Sequence, residues 1–409
     1  MLNTDFSPWP CYTELEAEVI QRVLLSNKVN YWTGNECREF EKEFATWANV
    51  KYAVALANGT IALDAALQAI NLQAGDEVVV TSRGFIASAS SIVKNGGIPV
   101  FADVDENSQN ITAESIRAVL TERTKAIICV HLAGWPCDMD PILDLANELG
   151  LFVIEDCAQA HGAKYKGRPV GSLGHIGAWS FCQDKIITTG GEGGMVTTND
   201  HELWSAMWSY EDHGKSYQAI YQSQKQPEFN WVHHGFGTNG RMTELQAAIG
   251  RLQLQKMPIW HQQRLANAKR IWHVALGLKG LRVPIIPDDI THAAYKCYVF
   301  VDEKQLAPGW KRLRILEEIN ARGVPCFYGS CSEIYLEKAF DNTNWRPANR
   351  LPVAKRLGET SLMFLVHPNL LISEIEKTTQ VLKEVMIKAT DSPERLGVGN
   401  GSAIRAASS

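Results

Sequence analysis

No stretch of this chain approaches the roughly 18 consecutive apolar residues that a membrane-spanning helix requires. The opening Met1-Leu2-Asn3-Thr4-Asp5-Phe6 lacks the basic start and apolar core of a secretory leader. There is no long block of like charge, and a formal net charge of -5 gives no basic footprint for nucleic acid. The nine cysteines are an odd, scattered set. Cys326 and Cys331 lie close together, but no His or Cys frames them at zinc spacing, so no metal site is expected. These absences exclude a membrane span, a nucleic-acid partner and a disulfide framework. They point to reduced thiols in a cytoplasm, and they leave room for a small anionic ligand, which needs only a local pocket.

At 409 residues the chain is long for one core, and two domains are the default expectation. The first 250 residues alternate short apolar, β-branched runs with helical patterns, as βαβ units of a mostly parallel sheet do. The pattern predicts strands over 52–56, 77–81, 99–103, 126–131, 151–155, 178–181 and 194–198. It predicts helices over 61–70, 87–95, 113–120 and 140–149. Gly75-Asp76 and Gly96-Gly97 stand where a helix must stop and a strand begin. A long helical pattern from Thr243 to about Trp272 reads as a connector, interrupted at Pro258. Beyond it, a strand over 297–301 and helices over 310–322 and 373–387 suggest a smaller α/β domain. The expected division is a large domain over 1–250, a small one over 251–388, and a disordered tail over 389–409. No internal repeat is visible.

Two residues carry the chemistry. Asp156 ends the strand in Leu-Phe-Val-Ile-Glu-Asp, and Lys185 follows the strand in Ala-Trp-Ser-Phe-Cys-Gln-Asp-Lys. Pyridoxal 5'-phosphate needs both from a protein: an amine for its aldehyde and a carboxylate that keeps its pyridine nitrogen protonated. Ligands of open parallel sheets bind beyond the carboxyl ends of the strands, where Asp156 falls. Glu155 is its rival, but adjacent strand residues face opposite ways, so only one of them can serve. Gln159 is close enough to lean toward the same ring, unless it is a surface amide. Ser180 offers a hydroxyl to a phosphate.

Lys164 and Lys166 compete with Lys185, but they sit in a polar, turn-like segment, whereas Lys185 precedes Ile186-Ile187 and a glycine run. That run, Gly190-Gly191-Glu192-Gly193-Gly194, lacks the Lys-Ser/Thr of a P-loop and reads as a tight turn. Asn58-Gly59-Thr60, between a strand and a helix, reads either as a helix-capping turn or as a phosphate seat at a helix N-terminus. Phe85, after the second strand, reads as core or as a ring that stacks on the pyridine.

Ordered motifs extend this picture. They are Tyr-Trp-Thr-Gly-Asn-Glu-Cys-Arg-Glu-Phe-Glu (31–41), Ala-Asn-Gly-Thr-Ile-Ala-Leu (57–63), Val-Phe-Ala-Asp-Val-Asp (100–105), Val-His-Leu-Ala-Gly-Trp-Pro (130–136), Glu-Asp-Cys-Ala-Gln-Ala-His-Gly-Ala-Lys-Tyr-Lys-Gly-Arg (155–168) and Gly-Thr-Asn-Gly-Arg-Met-Thr-Glu-Leu-Gln-Ala-Ala-Ile-Gly (237–250). Together they resemble the DegT/DnrJ/EryC1/StrS family of pyridoxal-phosphate-dependent sugar aminotransferases, over about residues 31–387. The resemblance implies the type I fold of these transferases, with a large domain on a mostly parallel central sheet and a smaller C-terminal α/β domain. It implies that Lys185 carries the cofactor and that Asp156 partners the pyridinium. Gln159 would lie beside the ring, and Phe85 would stack on its other face. Gly59, Thr60 and Ser180 would hold the phosphate.

It also implies that Asn239 reaches the phosphate from the neighbouring subunit of a homodimer with shared sites, although alone Asn239 reads as a helix cap. Asn58 stands where the family often has Ser. Gly240 stands where a bulkier residue is common, which suggests a more open substrate pocket.

The activity so implied moves an amino group from glutamate to a nucleotide-linked keto sugar, for cell-surface polysaccharide or related amino-sugar biosynthesis. A 3-dehydratase of the same family would replace the lysine with histidine, and a non-catalytic regulatory relative would have lost Lys185 or Asp156. Both residues are present. Neither the sugar and its nucleotide nor C3 against C4 amination is expected to be legible; the pocket and loops such as Val232-His233-His234 would decide them.

Overall fold

The computed structural model describes residues 6–221 and 230–391. Its main element is a seven-stranded sheet. The strands β1 (Tyr52–Leu56), β2 (Glu77–Thr81), β3 (Ile98–Ala102), β4 (Thr124–Val130) and β5 (Phe152–Asp156) come first. A short hairpin, β6 (Lys164–Tyr165) and β7 (Arg168–Pro169), lies outside the sheet, and β8 (Ile176–Ser180) and β9 (Gly194–Thr198) complete it. The order is β1-β9-β8-β5-β4-β2-β3. All neighbouring pairs are parallel except those of β9, which runs against both β1 and β8. The carboxyl ends of β1, β2, β3, β4, β5 and β8 therefore open on one edge.

The expected strands are all present, most within two residues. Their central residues are mostly apolar because the sheet is covered on both faces. Val78 and Val80 pack into one core with Leu63 and Ala66 of the helix Gly59–Ala69. Val79, between them, packs on the other side with Ile127 and Val153.

Helices depart further from expectation. Ala113–Arg117 stops three residues before the predicted 120. The helices Glu14–Leu25, Glu36–Ala48 and His201–Glu211 are not among the expected elements. The predicted break at Pro258 is absent, and one helix runs over Glu244–Leu276. Proline costs about 3 kcal/mol inside a helix. Burial on both sides of Pro258 offsets it: Ala247, Leu254 and Met257 pack beneath the main sheet, and Ala268, Ile271 and Ala275 pack in a second core. Thr243 caps this helix, accepting from the Gln246 N–H.

That second core belongs to an antiparallel sheet in the order β10-β12-β14-β13. Its strands are β10 (Leu281–Arg282), β12 (Cys297–Val301), β13 (Cys326–Phe327) and β14 (Ser361–Phe364), while β11 (Ile290–Thr291) joins the β6–β7 hairpin. The helices Arg312–Ala321 and Ile372–Thr390 cover it. The last of these runs past residue 389, where a tail was expected to begin; residues 392–409 lie outside the described ones. Arg83 ties the two sheets together. Its buried guanidinium donates to Gln109 (3.0 Å), Ser332 (2.7 Å) and Ser361 (2.9 Å).

Candidate active site

The glycine run ends in β9, whose Gly194 pairs with Leu56 of β1 on one side and with Ser180 of β8 on the other. This register sets the start of the helix Gly59–Ala69 beside the end of β8. Asn58 caps that helix, its side chain accepting from the Ile61 N–H at 3.0 Å. The capping reading of Asn58 is thus correct, and it still leaves the N–H groups at the helix start without a partner inside the helix. A Cβ on Gly194 would fall 2.4 Å from the Asn58 carbonyl oxygen, and one on Gly59 would fall 2.5 Å from Ser180 Cβ. Glycine at both positions keeps open a cradle lined by the helix start, Thr60 and the Ser180 hydroxyl. Its donor set, backbone N–H groups and hydroxyls at a positive helix end, fits a phosphate.

Asp156 closes β5 on the same edge. Its Oδ2 accepts from the Ser88 hydroxyl at 2.8 Å and its Oδ1 from the Ala158 N–H at 3.1 Å. Glu155 faces away and is fully committed. It accepts from the N–H groups of Gly171, Leu173 and Gly174 and binds His131 Nε2 at 2.9 Å. Cys137 N–H donates to His131 Nδ1, so the proton sits on Nε2 and points at Glu155. The rivalry between the two acids is decided by the pleat.

Gln159 is buried, not a surface amide, and its Oε1 accepts from the Ala133 N–H at 2.8 Å. Phe85 is not core: it is 67% exposed, one helical turn before Ser88.

Lys185 lies in the loop after β8. Its amine is 5.2 Å from the centre of the Tyr295 ring and 3.5 Å from Asp184. The Tyr295 hydroxyl donates to Asp184. Burial alone would raise the Asp184 carboxyl, but Lys185 and that hydroxyl hold it below the ordinary range. The competing lysines are elsewhere. Lys164 is exposed at the β6 edge, and Lys166 pairs with Asp140 at 2.7 Å on the surface.

A family model described as the DegT/DnrJ/EryC1/StrS aminotransferase family matches residues 10–384. The chain belongs to this family. It is 35% identical to a GDP-perosamine synthase of Caulobacter vibrioides, over 85% of this chain and 90% of that protein. With a GDP-perosamine synthase of Escherichia coli O157:H7 it shares 42% identity over 247 residues, 60% of this chain and 65% of that one. A solved aminotransferase from Psychrobacter cryohalolentis superposes with a TM-score of 0.92 at 62% identity, covering 94% of this chain and all of that one. The fold is that of the type I pyridoxal-phosphate-dependent transferases, an α/β fold with a large, mostly parallel central sheet.

In this aminotransferase Asn239 is exposed, bridged through its backbone to Asp212, and does not cap the following helix, which is Thr243's part. Gly240 does not open a pocket. It is buried, its carbonyl accepts from the Ala57 N–H at 2.7 Å, and a Cβ there would lie 2.9 Å from Ile61. Backbone packing against the helix Gly59–Ala69 explains the glycine.

Sequence reasoning missed Ser88, one of six helical residues in a bland Ala-Ser-Ala-Ser-Ser-Ile run. It also missed Tyr295 and Lys296, which come to Lys185 from more than a hundred positions away. No local signal marks either. His161 packs against Trp179 and Phe181, and burial, with Lys185 and Arg264 adding, pushes it down to about 3, so it is neutral. Among the described residues no helix is long and apolar enough to cross a membrane.

Proposed function

We propose that this family member binds pyridoxal 5'-phosphate and moves an amino group from glutamate to a nucleotide-linked keto sugar. The single observation that supports this reading is topological: Asp156 ends β5, Ser180 ends β8 with Lys185 in the loop after it, and Gly59 follows β1, all at the same carboxyl edge of the sheet. When bound, the cofactor supplies an electron sink that stabilises the carbanion at the carbon gaining or losing nitrogen.

On this reading each residue has its own part. Helix N–H groups at Gly59 and Thr60, with Ser180, hold the phosphate. Asp156, oriented by Ser88, holds a proton on the ring nitrogen. Gln159 and Phe85 would bound the two sides of the ring. Lys185, when its amine is free, takes the proton from the donor carbon and returns one to the acceptor carbon, a general acid–base role. Asp184 and Tyr295 fix where that amine rests.

The nucleotide-sugar acceptor is supported by the perosamine synthases, whose names specify a GDP-linked sugar, and by a dTDP-3-amino-3,4,6-trideoxy-glucose transaminase of Streptomyces venezuelae at 32% identity. A homodimer with shared sites is supported by the exposed segment 230–239, where Trp231 is 82% exposed, Phe236 fully so, and Asn239 adjoins them. Aromatic side chains so placed suit a subunit interface.

Borohydride reduction of the cofactor-loaded protein followed by peptide mapping tests the assignment. The label is expected on Lys185, and a label on Lys164 or Lys166 overturns it.

A further inference from the structure

Two more cations stand beside Lys185 with no acid of their own. Lys296 places its amine 4.9 Å from the centre of the same Tyr295 ring that Lys185 approaches. Arg264 donates to the Tyr295 carbonyl at 3.5 Å and lies 4.8 Å from the centre of the Trp9 ring. Asp184 is already shared between Lys185 and the Tyr295 hydroxyl. Among the described residues no carboxylate lies within 4.0 Å of Lys296 or Arg264. The nearby histidines add no charge: burial pushes His161 and His367 each down to about 3, leaving them neutral.

The cost of this arrangement is visible. Arg264 Nε and Nη2 are buried without a hydrogen-bond partner, and burial pushes Lys296 down to about 8, only partly opposed by Asp184. Trp9 covers the guanidinium face but cannot pair its edge. Unpaired buried donors and uncompensated charge are destabilising unless a ligand completes them.

We propose that Lys296, backed by Arg264, forms a subsite for the carboxylate of the amino-acid donor. This rests on the aminotransferase reading above. Its location decides between the two anions such an enzyme would meet. A donor's α-carboxylate is bonded to the very carbon whose amine reacts at Lys185. The diphosphate of a nucleotide sugar hangs from the anomeric carbon, across the ring from a C3 or C4 keto group. A cation one aromatic ring away from the reacting lysine therefore meets the carboxylate. Lys296 is only partly buried and makes the contact, while Arg264, fully buried, adds positive potential from the interior.

The test is calorimetric titration of the cofactor-loaded protein with glutarate, a dicarboxylate that cannot react, and separately with GDP. Lys296→Met is expected to raise the glutarate Kd at least about tenfold, as loss of one partner of a desolvated charge pair does. Lys296→Arg is expected to stay within about threefold, and GDP affinity to stay at the parent's value in both. Should the Met variant fail to fold, Lys296→Gln carries the same comparison. Equal glutarate affinity in parent and variant, no glutarate binding by the parent, or weakening of GDP alone overturns the subsite. The two readings separate cleanly. A parent that binds glutarate through Lys296 but aminates no keto sugar keeps the carboxylate site and loses the transferase. One that aminates, with a Met variant indifferent to glutarate, does the reverse.

Discussion

Gly59 and Ser180 lie so close that a single methyl group on Gly59 would sit 2.5 Å from Ser180 Cβ and 3.1 Å from its Cα. The first residue of a helix and the last of a strand, 121 positions apart, share one wall of the cradle. Neither contacting atom is the end of a flexible side chain, so the space cannot be made by a rotamer change.

Gly59→Ala is accordingly expected to cost about 1–3 kcal/mol of stability through overpacking. It should weaken cofactor binding as well, because the intruding methyl group lies beside the proposed phosphate seat. Thermal unfolding with and without pyridoxal phosphate reads both effects. An Ala variant with the parent's stability and the parent's gain on adding cofactor would contradict this picture of the cradle.

Asp156→Asn should fold and lose activity by on the order of a hundredfold or more, because an amide cannot hold the ring nitrogen protonated. Ser88→Ala removes one hydrogen bond to the same carboxylate and should cost about 0.5–1.5 kcal/mol, up to roughly tenfold in rate. Steady-state kinetics of both variants decide the ranking. An Asn variant that turns over like the parent would hand the ring nitrogen to another acid, and Glu155, saturated by three backbone N–H groups and His131, is a poor candidate.

Stability should carry a signature of Glu41. Its carboxyl accepts from the Ala55 N–H, and burial raises its pKa to about 8 from 4.5. The folded state therefore binds the proton more tightly than the unfolded state. This contribution is fully present below pH 4.5 and is lost as pH rises through about 8. Glu41→Gln keeps an acceptor for Ala55 and removes the titration. Its stability is expected to fall less than the parent's across that window in denaturant unfolding. Parallel curves would show that Glu41 is ionised in the fold.

The proposed sharing of sites between subunits rests on Asn239, which is exposed and does not cap the helix it precedes. Mixing inactive Lys185→Ala with an inactive Asn239→Ala protein places both lesions in one site of a heterodimer and leaves the other site whole. Recovery of activity, up to about a quarter of the parent's by random pairing, is expected. No recovery in heterodimers shown to have formed would make each site self-contained.

Much of this was legible in the chain, for identifiable reasons. The main sheet is buried on both faces, so its strands are written as apolar runs bounded by glycine and polar residues. The Asp156 and Lys185 loops are short and local, which kept their motifs contiguous. What escaped the sequence is what depends on distant pairings. The helix through Pro258 holds because two cores grip it, and neither is visible from the local pattern. Gly240 reads as room for substrate until Ile61 is found against it. Tyr295, with Lys296 and Arg264 beside it, meets Lys185 from a distant part of the chain, and none of the three carries a motif that announces it. Phe85 illustrates the opposite limit: its position was plain, but whether it faced core or solvent was not.

One measurement tests the transfer of nitrogen to a keto sugar most directly. The cofactor-loaded protein is incubated with ¹⁵N-labelled glutamate and a panel of GDP-, dTDP- and UDP-linked keto sugars, and the sugar products are examined by mass spectrometry. The account predicts one or more amino sugars carrying the glutamate nitrogen, and none from the Lys185→Ala protein. Consumption of a keto sugar with no nitrogen gained, or labelled product from the Lys185→Ala protein, would contradict it.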